Sequence, residues 1–307
     1  MPQVVTLTMN PALDIATSAD AVLPTDKVRC EAPRYDPGGG GINVARVIRR
    51  LGGDALAIFP AGGAAGMALD ALLDREHILY YRVPIAGTTR ESFTVDERRS
   101  GQQYRFMLPG PNLIEEEWQA CLARLARLAE GARFIVASGS LPPGVPAGFF
   151  QQVADLAKHL GTRLVLDTSG DALRQTRTGA YLLKPSLREL REWVDRDLPD
   201  EAAQTAAARS LIAQGACEVM VVSLGGEGAL LVSGEGAERL RPIKVPVRSA
   251  VGAGDSMVGA IVFGLTQGLD LRHAVRLGMA AGAATLMTPG TELCRREDVE
   301  RLYAAAS

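Results

Sequence analysis

Short aliphatic runs recur along this chain, most of them followed by a turn and a longer segment of helical spacing, and that alternation limits the fold more than any other feature. The runs are Val4 to Thr8, Ala55 to Phe59, Phe134 to Ala137, Leu164 to Asp167, Tyr181 to Leu183 and Val219 to Val222. Each is apolar throughout rather than alternating, which suits a strand covered on both faces. Helical spacing predicts helices over Ile42 to Leu51, Gly66 to Asp74, Glu115 to Leu128, Phe149 to His159, Ser186 to Val194 and Glu201 to Ala213. Strands and helices in this order imply a mostly parallel sheet between two helical layers. Ligands of such sheets gather at the carboxyl ends of the strands, where the glycine-rich turns of this chain also fall.

Two regions break the rhythm. Residues 13–36 and 87–107 carry extended patterns such as Ser92 to Asp96 and Gln102 to Phe106, with Arg98 to Gly101 as a turn between them. They predict a small β-sheet lid over an α/β core made of residues 1–12, 37–86 and 108–307. No helix is available to cover one face of such a lid, so a homodimer contact through it is expected; surface hairpins are the alternative.

The chain has 307 residues, with 47% hydrophobic and 22% charged, as in an ordinary globular enzyme. A net charge of −2 with dispersed arginines argues against nucleic acid as a partner. Cys30, Cys121, Cys217 and Cys294 form no C-x-x-C pair, and His77, His159 and His273 are isolated, so no zinc site or disulfide framework is indicated. The start lacks a basic segment followed by an apolar one, and no run of about 18 apolar residues occurs. A cytoplasmic location is expected.

Five groups of residues could carry chemistry. Asp255 stands behind the small residues Gly252, Ala253 and Gly254, just before a helical segment. Open amides at a helix N-terminus suit an anion, and a carboxylate beside an anion suits a base rather than a binding group; an ordinary helix N-cap is the alternative. Four consecutive glycines, Gly38 to Gly41, precede the helix that opens with Asn43. That sequence points to close approach of a ligand to the main chain at Gly39 and Gly40. The stretch Ser223-Leu224-Gly225-Gly226-Glu227-Gly228 could cradle a nucleotide phosphate or simply connect a β-hairpin. Lys184, Ser186 and Glu189 flank a helix start, where a cation could meet phosphate and a carboxylate could hold Mg2+ through water; a capping serine and a surface charge pair would look the same. Asp14, Lys27, Arg90 and Arg105 lie in or beside the lid segments, suited to sugar hydroxyls and a sugar phosphate, though turn and solvated strand charges would read alike. There is no G-x-x-x-x-G-K-[ST] loop and no dinucleotide fingerprint.

Together these elements resemble the PfkB family of ribokinase-like carbohydrate kinases over the whole chain. Gly39 to Ala45 with Gly52 and Gly62 matches the family's N-terminal signature, and Gly252 to Asp255 with Gly259-Ala260 matches the C-terminal one. Thr8 to Asp14, Gly38 to Arg46 and Ser138 to Val145 look most like the phosphosugar branch, and Phe59 to Gly63, Gln103 to Phe106 and Val251 to Ala260 look like its members that act on fructose 6-phosphate. The resemblance implies a three-layer αβα ribokinase-like domain with a mostly parallel sheet and a β lid. It also implies transfer of phosphate from ATP, with Mg2+, to the 1-hydroxyl of fructose 6-phosphate, with tagatose 6-phosphate or fructose 1-phosphate as rival substrates. A non-catalytic sugar-phosphate sensor on the same fold is the alternative of another class.

By the same resemblance Asp255 is the general base and the amides of Gly252, Ala253 and Gly254 form the anion hole. Asp14, Lys27, Gly39, Gly40, Asn43, Arg90, Arg105 and Ser138 would bind the sugar phosphate. Lys184, Ser186, Ser223, Leu224, Gly225, Gly226 and Gly228 would line the ATP site, Glu189 would orient Mg2+, and Ser249, Val251, Thr285, Thr288, Gly290 and Glu292 would supply oxygens to K+. The chain departs from the family pattern at Ser186, where Asn is common, at Ala250, where Thr or Ser is usual, and at Thr288-Pro289 in the cation loop.

Overall fold

The computed structural model describes residues 2–305. The first strand, β1 (Val4–Leu7), leads into two lid strands, β2 (Ala12–Ala19) and β3 (Arg34–Gly38). The chain returns through α1 (Gly40–Arg50), β4 (Ala55–Ala61), α2 (Gly63–Arg75) and β5 (Leu79–Pro84), then adds lid strands β6 (Arg90–Glu97) and β7 (Gln103–Met107). Next come α3 (Glu115–Leu128), β8 (Phe134–Ser138), α4 (Phe149–Leu160), β9 (Arg163–Asp167), α5 (Gly170–Gln175) and β10 (Ala180–Leu183). The remainder is α6 (Leu187–Val194), α7 (Glu201–Ala213), β11 (Cys217–Ser223), β12 (Ala229–Ser233), β13 (Gly236–Leu240), α8 (Ala253–Thr266), α9 (Leu271–Leu286) and α10 (Arg296–Ala305).

The main sheet has the order β13-β12-β11-β10-β9-β8-β1-β4-β5. It is parallel from β11 to β5, and only the β11–β12 and β12–β13 pairings are antiparallel. The runs read as buried strands are buried because helices cover both faces. In β8, Ile135 and Ala137 join a core with Trp118 of α3 and Phe149 of α4, whereas Phe134 and Val136 join the opposite core with Ile48 of α1 and Ile261 of α8. The expected three-layer αβα architecture is therefore the observed one. Strand β5 lies at the sheet edge, and its first residues are exposed or half-buried.

From β1 the chain order runs outward through β4 and β5 on one side and through β8 to β11 on the other. The crevice between β1 and β8 is thus the topological switch point, where doubly wound sheets hold their ligands. The N-terminus of α1 enters this crevice.

The lid is a four-stranded sheet, β3-β2-β6-β7. Registered pairing places Tyr35, Ile15, Phe93 and Phe106 side by side across it, and Asp14, Asp36 and Ser92 in the next row on the opposite face. One lid face is therefore apolar and the other polar. The polar face meets the core: Gln103 donates from Nε2 to Ser249 Oγ at 3.2 Å, and Thr291 donates from Oγ1 to Asp36 at 2.6 Å.

Candidate active site

The carboxyl edge of the sheet gathers Ser138 at the end of β8, Asp167 at the end of β9, Lys184 just beyond β10 and Ser223 at the end of β11. Register fixes their relation, since Ser138 pairs with Asp167. Above them lies the turn into α8. Gly252 has φ 74°, a left-handed conformation that favours glycine, and it serves as the N-cap of α8 without a side chain to cover the first amides.

Asp255 is the third residue of α8 and not its N-cap, so the ordinary capping reading fails. Its carboxylate turns across the crevice instead. Asn43 Nδ2 donates to Oδ2 at 2.9 Å, and Ser138 Oγ lies 3.5 Å from Oδ1. Burial, and then the neighbouring Asp167, push its pKa up to about 6 against the lowering effect of Asn43, Lys184 and Ser138. A carboxylate with that pKa remains ionised at neutral pH and is a far better proton acceptor than an ordinary aspartate.

Lys184 is 5% exposed and lies 3.2 Å from Asp167. Although burial opposes its charge, Asp167, Glu189 and Asp255 together raise its pKa, so the ammonium is retained. A Cβ added at Gly254 would come within 3.7 Å of Lys184 Nζ, which places the cation directly under the glycine turn. Sequence reasoning named Lys184 but missed Asp167. The signal available was an acidic residue closing a buried apolar run, Leu164 to Asp167.

The four glycines are explained by protein contacts rather than by open space. A Cβ at Gly38 would fall 2.3 Å from the Asp14 carboxylate, and one at Gly40 would fall 2.2 Å from Ser138 Oγ. These contacts draw Asp14 against the main chain of β3 and Ser138 against the first turn of α1. Burial, assisted by Asp36 and opposed by Arg90, Arg46 and Arg105, pushes the Asp14 carboxyl up to about 6. Arg90 donates to the carbonyls of Asn10 at 3.1 Å and Leu108 at 3.3 Å, spanning the lid and the core. Three polar atoms around this corner are buried without a protein partner: Arg90 Nε, Ser92 Oγ and Asn10 Oδ1. Unpaired buried polar groups are costly, and a polar ligand would satisfy them.

Asp36 and Arg46 are a second pair that the sequence did not single out for a role. Burial works against the Asp36 carboxylate, yet the Thr291 hydroxyl, Arg46 and Arg34 hold it below the ordinary range. Arg46 is 1% exposed and also reaches Glu76, the Pro37 carbonyl and Asn43 Oδ1 at 3.2 Å. That last bond fixes which end of the Asn43 amide faces Asp255.

On the other side of the α8 turn is a cavity of about 690 Å³ lined by Ser223, Gly225, Gly226, Gly228, Ala250 and Gly254 among others. Its far wall is apolar, with Val245, Met279 and Leu286. The glycine turn is also a β-hairpin connection, since β11 and β12 pair antiparallel across it. Leu224 is a correction: its side chain packs on the core and its amide donates to the Gly228 carbonyl, so neither lines the cavity. Ser186 and Glu189 form a reciprocal capping box on α6, with Ser186 N–H donating to Glu189 Oε2 at 2.8 Å. The capping alternative raised from sequence is thus present, and one Glu189 oxygen is already engaged.

Around the third region, Ser249 Oγ donates to the Gly290 carbonyl at 2.6 Å and accepts from Val251 N–H at 3.2 Å. Thr288 Oγ1 donates to the carbonyls of Thr285 and Glu292. The six expected cation residues are therefore contiguous, but the Glu292 carboxylate is turned away, paired with Arg34 at 3.0 Å and Arg295 at 3.2 Å. The Thr285 hydroxyl is likewise used internally, on Ser256 and Ala281. Lys27 is not brought to the site: it lies exposed between β2 and β3, without a hydrogen bond or ion pair among the described residues. Arg105 is exposed on β7 and reaches Asp14 only through its field.

A buried carboxylate behind open helix amides, with a glycine-lined cavity on one side and a polar lid on the other, is the arrangement of a phosphoryl-transfer enzyme. The chain belongs to the pfkB family of carbohydrate kinases, whose model matches residues 7–298. It is 55% identical over 306 residues to the ATP-dependent 6-phosphofructokinase isozyme 2 of Mycobacterium tuberculosis, covering 100% of this chain and 90% of that one. The structure of phosphofructokinase-2 from Escherichia coli in complex with potassium superimposes with a TM-score of 0.95 at 42% identity, covering 100% of this chain and 99% of that one. The same enzyme in complex with substrates and products gives 0.94 at 42% identity, covering 99% of each chain. Among the described residues no helix is long and apolar enough to cross a membrane.

Proposed function

We propose that this chain is an ATP-dependent 6-phosphofructokinase, transferring the γ-phosphoryl group of ATP to the 1-hydroxyl of fructose 6-phosphate. The observation that carries this reading is the position of Asp255, held by Asn43 and Ser138 between the glycine-lined cavity and the lid. Asp255 takes the proton of the 1-hydroxyl as the sugar oxygen bonds to the γ-phosphorus and the bond to the β-phosphate oxygen breaks, releasing ADP. The amides of Gly252, Ala253 and Gly254 and the Lys184 ammonium meet the charge that develops on the transferred group. Asp14 and Asn43 accept and donate to sugar hydroxyls, while Arg90 and Arg105 hold the 6-phosphate. The E. coli relative's complexes with substrates and products support this choice of ligands.

The cavity's apolar wall suits an adenine ring and its glycine turn suits phosphates. Asp167 and Glu189 offer the hard oxygen donors that a hydrated Mg2+ takes, and the ion supplies charge neutralisation at the phosphates. Ser249, Val251, Thr285, Thr288, Gly290 and Glu292 would supply oxygens to K+, a reading supported by the potassium complex of the E. coli relative. The enzyme works as a homodimer through the apolar lid face, where Tyr35, Phe93 and Phe106 are 48%, 36% and 52% exposed. Its four cysteines are free thiols, in keeping with a cytoplasmic location.

A coupled ADP-release assay tests the reading with fructose 6-phosphate, fructose 1-phosphate, tagatose 6-phosphate and unphosphorylated fructose. The highest kcat/KM is expected with fructose 6-phosphate. ADP release with none of them would leave a sensor, and preference for fructose 1-phosphate would move the reaction to the 6-hydroxyl.

A further inference from the structure

Beside the larger cavity lies a second one of about 330 Å³, between the edge strand β13, the segment that follows it and one face of α9. Four arginines line it: Arg239 and Arg241 from the strand side, Arg272 and Arg276 from successive turns of the helix. Glu238 is the one carboxylate in its lining. The charges do not cancel. Glu238 is engaged by Arg272 at 2.9 Å, and Arg239 reaches outward to Glu227 at 2.8 Å. The side chains of Arg241 and the half-buried Arg276 have no hydrogen bond or ion pair among the described residues.

Such a concentration of cations is unexpected on a chain whose net charge is −2. Surface arginines usually disperse or pair, because like charges facing one another in a concavity repel. Guanidinium groups with unused donors are the residues that bind phosphate bidentately. Leu240, Ile243 and Met279 give the cavity an apolar floor. Pro242, Ile243 and Met279 are shared with the cavity assigned above to the nucleotide.

We propose that this arginine-lined cavity is a binding site for a small phosphorylated anion, separate from the active site and felt through the shared wall as a change in KM for ATP. The coupling rests on the nucleotide reading of the larger cavity; the binding does not. The shared chemistry is a compact group with two or more negative charges, which an inorganic polyphosphate or a small organic phosphate can supply.

Titration calorimetry on the full chain tests it, with the active site first saturated with a non-hydrolysable ATP analogue and fructose 6-phosphate. Heat from the analogue alone reports on the nucleotide reading independently. Tripolyphosphate and phosphoenolpyruvate are then titrated separately, to distinguish an inorganic from an organic source. One further site per chain is expected for at least one of them, weakened at least tenfold in the double variant Arg241→Ala/Arg276→Ala. Both positions lie outside the active site, so that variant keeps its basal turnover and its Tm. Absence of binding for both anions, or binding undiminished in the double variant, overturns the site. Binding that leaves KM for ATP unchanged overturns its coupling to the nucleotide.

Discussion

Asn43 Nδ2 and Asp255 Oδ2 are 2.9 Å apart although 212 positions separate them in the chain. The bond joins the first turn of α1 to the first turn of α8, and Arg46 orients the amide by donating to its oxygen at 3.2 Å. The glycine-rich loop and the turn into α8 are therefore joined at their helix starts. One helix start carries the carboxylate and the other aims it.

Replacing Asp255 by Asn is expected to lower kcat by roughly 100-fold or more, the usual contribution of a positioned base. ATP affinity measured by calorimetry should stay within a fewfold. A rate near that of the unaltered chain would remove Asp255 from the base role.

The pH profile follows from the same carboxylate. With a folded-state pKa of about 6 for Asp255, kcat/KM should fall about tenfold per pH unit below that value as the base is protonated. Stability carries the opposite sign. Because the folded pKa lies above the ordinary aspartate value of 3.8, ionised Asp255 destabilises the fold by about 3 kcal/mol above pH 6, and the penalty disappears below pH 3.8. Asp255→Asn should thus raise stability to urea at pH 8 and leave it unchanged near pH 3.5.

Lys184 and Asp167 form a nearly dry pair at 3.2 Å. Removing the cation alone, as Lys184→Ala, leaves a buried carboxylate without its partner and is expected to cost about 3–5 kcal/mol in denaturant unfolding. The double variant Lys184→Met/Asp167→Leu should recover much of that loss while remaining inactive. Equal loss in both would show that the pair is not an energetic unit.

Gly38→Ala inserts a methyl group 2.3 Å from the Asp14 carboxylate, which must move. KM for fructose 6-phosphate should rise at least tenfold while the affinity for ATP holds. An unchanged KM would place Asp14 outside the sugar site.

Phe93→Glu with Phe106→Glu puts charges into the apolar lid row. Sedimentation should show the mass falling from dimer to monomer. A dimer that survives the change would move the interface away from this face.

Much of the fold was legible because its causes are local. Short, fully apolar runs such as Phe134 to Ala137, followed by a turn and a helical segment, suit strands buried on both faces, and the helical spacing of Glu115 to Leu128 gives α3 its observed bounds. The alternating pattern of Ser92 to Asp96 likewise gave a strand with two unlike faces, which the lid has. Strand β5 escaped although Ile78 to Tyr81 is hydrophobic throughout; at the sheet edge its first residues stay exposed or half-buried, so the run does not mark a strand covered on both faces. Asp36 was visible in the sequence, but its role as a knot joining Arg34, Arg46 and Thr291 depends on a residue 255 positions away.

The sequence by itself determined the strand–helix alternation, the unlike faces of the lid strands and the placement of small residues before α1 and α8, because period and residue volume act over a few positions. Only the tertiary structure decided what those residues face. The desolvation that lifts Asp255 toward pH 6, the Asn43 bond that aims it and the Lys184–Asp167 pair beneath it all arise where distant strand ends and helix starts converge. Burial and electrostatic fields are sums over neighbours in space, and chain order does not supply that sum.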